Sequence, residues 1–479
     1  MNQSATPLYD ALVNYSKKNP ISFHVPGHKN GKIFEPKGNS FFHDLLKLDA
    51  TEITGLDDLH APEEAIYDAQ SLLADLFQTE RSFFLVNGST SGNLTMILAA
   101  CEEDAIVLVQ RNCHKSIMNA LMLAKVRPVF LEPEYDPQWK VAGGVSFETI
   151  NEALNRYPQV SAVILTYPNY YGRVFDLQRI IEKVHQFHIP VLIDEAHGAH
   201  FIAGDPFPPS AVQLGADIIV QSAHKTLPAM TMGSYLHFNS AFVKMDKVLD
   251  YLQIFQSSSP SYPIMASLDL ARSYLGTYES ADSGYLIRQI NDFKQKLKAI
   301  PGLRVLDSEK GGDPLKITIR STSGFSGYAL QKRIEEAGVF TELADPYNVL
   351  LVFPLLKKAM SFPLDEAAEK INRALKSVQP IKGTGLADCF FKNKETVSSL
   401  GVSYKDMANY QIGEATIAEA AGKLAAETII PYPPGIPLFL KGEEMTKEKL
   451  QMLQNNLELG ARFQGGSLLE IGRVKVFLK

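Results

Sequence analysis

The chain has 479 residues, 45% of them hydrophobic and 21% charged, an ordinary globular composition with room for roughly two to four domains. Its formal net charge of −6 removes the electrostatic case for a nucleic-acid partner or an anionic membrane surface. Three cysteines (Cys101, Cys113 and Cys389) in no CxxC spacing argue against a disulfide scaffold or a zinc module. The start, Met1 to Pro7, has no basic stretch followed by an apolar one, and no apolar run approaches the roughly 20 residues that span a bilayer. The expectation is a soluble cytoplasmic protein.

In chain order, Thr6-Pro7-Leu8-Tyr9 predicts a short helix to Lys18, capped by Thr6 with Pro7 in its first turn. Pro26-Gly27 and Asn30-Gly31 mark tight turns around His24 and His28. With no carboxylate or cysteine at metal-ligand spacing, these histidines read as loop side chains or part of a binding surface. Asp57-Asp58-Leu59-His60-Ala61-Pro62 precedes a predicted helix from about Glu63 to Phe77. The strand Phe83–Val86 runs directly into Asn87-Gly88-Ser89-Thr90-Ser91-Gly92-Asn93 and an apolar helix through Ala100. Free N–H groups at such a helix start, with three hydroxyls beside them, make an anion site. The simpler alternative is a helix cap by one hydroxyl. The P-loop lysine is absent, so this is no nucleotide P-loop.

Strand and helix then alternate. Strands are predicted at 106–109, 128–131, 162–165, 191–194 and 218–220, and helices to about Ala124, over 147–156 and over 177–187. A polar insert with the single tryptophan, Trp139, interrupts them. This alternation predicts an α/β fold with a mainly parallel, doubly wound sheet. Beyond it come a strand at 234–238, a helix at 264–274 and a long amphipathic helix at 285–299. A small α+β domain follows, with strands at 303–306, 315–319 and 349–353 and helices at 327–337 and 365–377. Lys382-Gly383-Thr384-Gly385 reads as a linker. The remainder holds an Ala-rich predicted helix at Ala415–Ala426 and the stiff stretch Pro431-Tyr432-Pro433-Pro434-Gly435-Ile436-Pro437. The division expected is 1–275, an N-terminal segment plus large domain; 276–380, the small domain; and 381–479, a C-terminal α+β domain.

Two strand ends carry chemistry. Lys225 lies in Ser222-Ala223-His224-Lys225, just past Ile218-Ile219-Val220, and Asp194 ends Val191-Leu192-Ile193. Ligands of open α/β sheets bind at such carboxyl ends. A primary amine there can form a Schiff base with a carbonyl, although a solvated surface lysine reads equally simply. Asp194 lies 31 residues earlier (225 − 194), room for one crossover unit. An acid for a pyridinium nitrogen and a lysine for an aldehyde are what pyridoxal 5'-phosphate (PLP) needs. A carboxylate at the end of an apolar strand is costly to bury without a partner; a helix cap or ion pair is the other reading. His197 and His200 lack the HExxH pattern of a zinc site, and no metal is expected.

Together these stretches resemble the Orn/Lys/Arg decarboxylase family, fold-type I PLP-dependent basic amino-acid decarboxylases with the aspartate aminotransferase fold. The motifs that carry the resemblance are Phe23-His24-Val25-Pro26-Gly27-His28-Lys29, Leu56-Asp57-Asp58-Leu59-His60, Asn87-Gly88-Ser89-Thr90-Ser91, Arg111-Asn112-Cys113-His114-Lys115-Ser116, Asp194-Glu195-Ala196-His197-Gly198, Ser222-Ala223-His224-Lys225 and the Pro431–Pro437 stretch. The resemblance implies that Lys225 holds PLP and Asp194 keeps its ring nitrogen protonated. Ser89, Thr90 and Ser91 would bind its phosphate, with Ser222 and His224 closing around it. His114 would stack on the ring, Ala196 would leave it space, and His197 would orient substrate or protonate Cα. The loop Ser257-Ser258-Ser259-Pro260 resembles the segment that reaches a neighbouring subunit's phosphate, through Ser258. This implies a homodimer with shared active sites, or a tetramer. A flexible surface loop is the plainer reading.

The implied reaction is α-decarboxylation of arginine, lysine or ornithine to CO2 and a polyamine-type amine. Glu342 and Asp345 are candidates for the cationic tail, or a solvated acidic turn. Larger members carry an N-terminal wing domain, and here the core motifs begin within the first 30 residues, so the short bacterial form is expected. Family analogy favours arginine. The rivals are an aminotransferase or lyase on the same fold, for which Arg320 and Arg333 sit in no recognised motif, and a catalytically silent regulatory relative, against which Lys225 and Asp194 argue.

Overall fold

The computed structural model describes residues 1–307, 311–358, 360–376, 395–431 and 437–478. The chain forms two compact units, each built from two separate stretches: Met1–Ala100 with Pro190–Glu279, and Cys101–Ile189 with Ser280–Lys479.

In the first unit, strands lie in the order Arg81–Leu85, Ser234–Phe238, Ile218–Gln221, Val191–Asp194. The last two are parallel and place Asp194 opposite Val220. Ser234–Phe238 runs antiparallel to both of its neighbours. Ile218–Gln221 and Val191–Asp194 are buried along their whole length, the mark of strands covered on both faces. The helix Gly88–Ala100 follows the strand Arg81–Leu85 almost at once. Gly88 takes a positive φ of 78° in the turn. A Cβ on Gly92 would stand 2.6 Å from Leu85 Cδ1 and 2.8 Å from Val220 Cγ1, so only glycine lets the first turns of this helix lie on the sheet.

The N-terminal helix is Pro7–Lys17, and Thr6 does not cap it. The N–H groups of Leu8 and Tyr9 donate instead to Asp269 Oδ2, at 3.0 and 3.3 Å. Arg272 is paired to Asp269 and donates to the carbonyls of Gln3 and Ala5. A buried pair on the helix Tyr262–Gly276 thus supplies what the hydroxyl was expected to supply. The helix expected from about Glu63 to Phe77 begins at Ala65. Asp57, at φ 67°, accepts from the N–H groups of Asp58, Glu63, Glu64, Ile66 and Tyr67. That role explains the Leu-Asp-Asp-Leu-His stretch as a helix-start device.

In the second unit, strands lie in the order Val160–Thr166, Ile106–Gln110, Arg127–Leu131, Val397–Ser399. The first three are parallel and the last is antiparallel. An antiparallel sheet of Leu303–Leu306, Lys316–Ser321, Asn348–Val352 and Leu343–Ala344 packs with the helices Ser280–Lys298, Gly327–Glu336 and Leu364–Lys376. This is the small α+β domain expected from the sequence. The polar insert folds as a short hairpin, Tyr135–Asp136 with Val141–Ala142, which buries Trp139.

The Ala-rich helix expected at Ala415–Ala426 is not formed. Gln411–Thr416 and Leu424–Ala425 are strands on either side of Arg473–Leu478. Ala415, Ala420 and Ala425 are small core residues of that layer, and Gly422 turns between them at φ 77°. Alanine's helix preference is a few tenths of a kcal/mol, roughly, and packing overrides it. The helix Met245–Phe255 escaped the sequence reading, although Met245, Val248, Leu249 and Leu252 fall at helical spacing. The linker expected at 382–385 and residues 432–436 of the proline-rich stretch lie outside the described residues.

Candidate active site

The first unit collects chemistry at two neighbouring strand ends. Ser222 follows the strand Ile218–Gln221 and starts the short helix Ala223–Thr226, so Lys225 stands one turn beyond the sheet. Its Nζ lies 3.1 Å from Nε2 of His197. Asp194 is 2% exposed and accepts from Asn93 Nδ2 at 3.0 Å and from the Ala196 N–H at 3.1 Å. These two donors fix its orientation. The strand ends at Asp194 and residues 196 and 197 form a turn. Ala196 thus lies beyond the strand, where it gives its N–H to Asp194.

Ser222 Oγ donates to Ser89 Oγ at 2.8 Å, joining the phosphate-turn candidate to the lysine segment. Ser91 is buried and donates to the Gly88 carbonyl, while Thr90 is exposed. The N–H and Nδ1 of His224 both meet the carbonyl of Gly233, at 3.2 and 3.0 Å. Ser258 is exposed, in a loop whose Ser257 carbonyl lies 2.9 Å from His60 Nε2. Asp49 Oδ2 lies 3.0 Å from His28 Nε2, a partner 21 residues away that no local spacing shows.

Glu195 went unremarked in the sequence. It is fully buried and accepts from Ser210 Oγ, the Ala211 N–H and Gln221 Nε2. Burial pushes its carboxyl up to about 8, against the pull of these donors. Gln221 Oε1 lies 3.0 Å from His237 Nε2, and His237 Nδ1 lies 2.7 Å from Ser82 Oγ. Burial holds His237 down to about 3. Asn93 was also missed as a functional residue, although an amide in an otherwise apolar helix is a readable signal.

The remaining candidates belong to the second unit. His114 caps the helix Lys115–Leu123, accepting from the Ser116 N–H. Asp345 accepts from Tyr171 OH, the N–H groups of Tyr347 and Asn348, and Asn348 Nδ2, and burial raises its carboxyl. Glu342 is exposed.

The donor set of the first unit fits PLP: an amine, a buried carboxylate already oriented, and hydroxyls at the start of a 13-residue helix. Residues 6–310 match the Orn/Lys/Arg decarboxylase major domain, and residues 385–465 match that family's C-terminal domain. The chain belongs to the Orn/Lys/Arg decarboxylase family. It is 46% identical to the Bacillus subtilis (strain 168) protein YaaO over 99% of each chain. It is 32% identical to an arginine decarboxylase of the same organism, over 97% of this chain and 96% of that one. The solved lysine decarboxylase LdcF of Francisella novicida superimposes with a TM-score of 0.81 at 21% identity, over 99% of this chain and 81% of that one, which confirms the fold class. This family member is a PLP-dependent decarboxylase.

Proposed function

We propose that this decarboxylase removes the α-carboxyl of arginine in preference to lysine or ornithine, giving CO2 and a polyamine-type amine. The observation that carries the catalytic reading is the Lys225–His197 contact at 3.1 Å, in the unit that also holds buried Asp194. Lys225 anchors the cofactor through its amine. PLP supplies an electron sink for the pair left on Cα when CO2 departs. Asp194, steadied by Asn93, keeps a proton at the ring nitrogen. His197 holds the proton that Cα takes up or orients the substrate. Ser89, Thr90, Ser91, Ser222 and His224 are assigned to the phosphate, His114 to the ring face, and Ala196 to the space beside it.

Arginine is favoured by relatives 31–33% identical that are named arginine decarboxylases, against 23% for those named lysine decarboxylases. For the substrate tail, Glu342 has an exposed carboxylate, whereas that of Asp345 already accepts four internal bonds. Glu342 is therefore the stronger candidate. Against an aminotransferase, Arg320 is committed to Asn348 Oδ1 and to the carbonyls of Gln138 and Trp139 and is not free for an α-carboxylate.

The assembly assigned is a homodimer with Ser258 reaching the partner's site, or a tetramer made of two such dimers. Ile21, Phe23, Val25, Ile33 and Phe41 are all more than 60% exposed, an apolar surface that a second copy would cover. The domain boundaries proposed remain 1–275, 276–380 and 381–479, and the cytoplasm is the proposed location.

The test is incubation of the PLP-loaded protein with arginine, lysine and ornithine separately, measuring CO2 and amine. Arginine should give the highest kcat/KM. Absence of CO2 from all three, with PLP bound, removes the reading.

A further inference from the structure

The second unit holds a cavity of about 160 Å³, close to the engineered cavity of about 150 Å³ that takes benzene. Much of its wall is apolar, from Val141, Tyr347 and Met452. One side carries buried charge. Arg111, 6% exposed, donates through Nη2 to Glu443 Oε2 at 2.8 Å, and Lys449, also 6% exposed, donates to Glu443 Oε1 at 2.6 Å. One carboxylate therefore serves two cations. Glu132 stands 3.5 Å from Arg111 Nε. Arg111 Nη1 is buried with no hydrogen-bond partner among the described residues.

The unmet groups on this wall are donors. Lys449 has three N–H groups and makes one bond, to Glu443. The amides that also line the cavity are engaged: Asn112 with Gln110 and Gly143, and Asn169 with Ala142, Tyr171 and Arg173. Asp345 lines it too, with both oxygens bonded. A buried guanidinium N–H without an acceptor is rare and costly in a native structure. What completes this cavity is an acceptor with negative charge on an apolar body.

We propose that the cavity is a binding site for a small amphipathic carboxylate, its oxygens meeting Arg111 Nη1 and Lys449 Nζ and its apolar body lying against Tyr347, Met452 and Val141. The proposal does not depend on which amino acid the enzyme decarboxylates.

The test is calorimetric titration of the PLP-loaded, full-length protein with benzoate as probe and benzamide as its neutral match. Benzoate should bind at one site per chain, with benzamide at least about tenfold weaker. Lys449→Met should weaken benzoate at least about tenfold. Met452→Trp, which fills the apolar end and leaves every charge in place, should also abolish binding; its unfolding temperature checks that it is folded. The Lys225→Ala protein should bind benzoate as the parent does. No heat with benzoate at millimolar concentration, equal affinity for benzamide, or full binding to folded Met452→Trp would each overturn the proposal. Loss of binding in Lys225→Ala would place the probe at the lysine instead and overturn it as well.

Discussion

Lys225 Nζ and His197 Nε2 stand 3.1 Å apart, so one of the two must offer a lone pair to the other. The amine comes from a turn after one strand and the imidazole from a turn after its parallel neighbour. His197 is therefore placed to hold a proton next to the residue assigned to the cofactor. Replacing it with asparagine should leave PLP bound, seen in the visible absorption of the protein, while kcat falls roughly 100-fold. Lys225→Ala should lose both the visible band and CO2 release. An H197N enzyme of undiminished kcat would remove the histidine from the chemistry.

Asp194 and Asn93 form a second pair, 3.0 Å apart. Asn93→Ala should free the carboxylate to turn and lower kcat by about tenfold or more, with a smaller effect on KM. Asp194→Ala should cost more than that and weaken PLP retention. Steady-state kinetics at saturating PLP separates the two effects.

The reaction takes up one proton for each CO2 released, since the carboxylate on Cα is replaced by hydrogen. In weakly buffered solution the pH should rise as arginine is consumed, in proportion to the CO2 collected. A transamination would leave the pH nearly level and release no CO2.

Stability should fall on both sides of a weakly acidic optimum. Glu195 is raised to about 8 in the folded chain, so its contribution is complete below the ordinary glutamate range and is lost as pH climbs through 8. The upper bound is roughly 5 kcal/mol. His237 is held down to about 3, so its contribution is present above the ordinary histidine range and fades as pH drops toward 3. Denaturant unfolding of Glu195→Gln should show a flatter alkaline limb and an unchanged acid one.

Gly92→Ala should destabilise by about 1–3 kcal/mol, because Leu85 and Val220 leave no room for a Cβ. If the helix moves to make room, it carries Ser89 away from Ser222, and PLP affinity should fall with the unfolding temperature.

The strands and the cofactor chemistry were readable because each rests on local sequence. A buried parallel strand is an unbroken apolar run; Asp194 ends one, and Lys225 stands one turn past the end of another. The partners were hidden wherever they come from far along the chain. Asp269 caps a helix some 260 residues away, and Asp49 meets His28 across 21. The alanines at 415, 420 and 425 read as helix because composition does not say that Arg473–Leu478 will pair beside them. Asp345 read as a substrate acid because the sequence does not show that Tyr171 and Asn348 engage its oxygens.

The first unit's two separate stretches set an order on biosynthesis. The strand Arg81–Leu85 finds its partner only at Ser234–Phe238, and Ser89 meets Ser222 across 133 residues. A ribosome adding roughly 5–20 residues per second holds the first hundred residues without their sheet neighbours for about 7–28 seconds. Through that interval the nascent chain presents an unpaired strand and the bare face of the helix Gly88–Ala100, a surface suited to a holding chaperone.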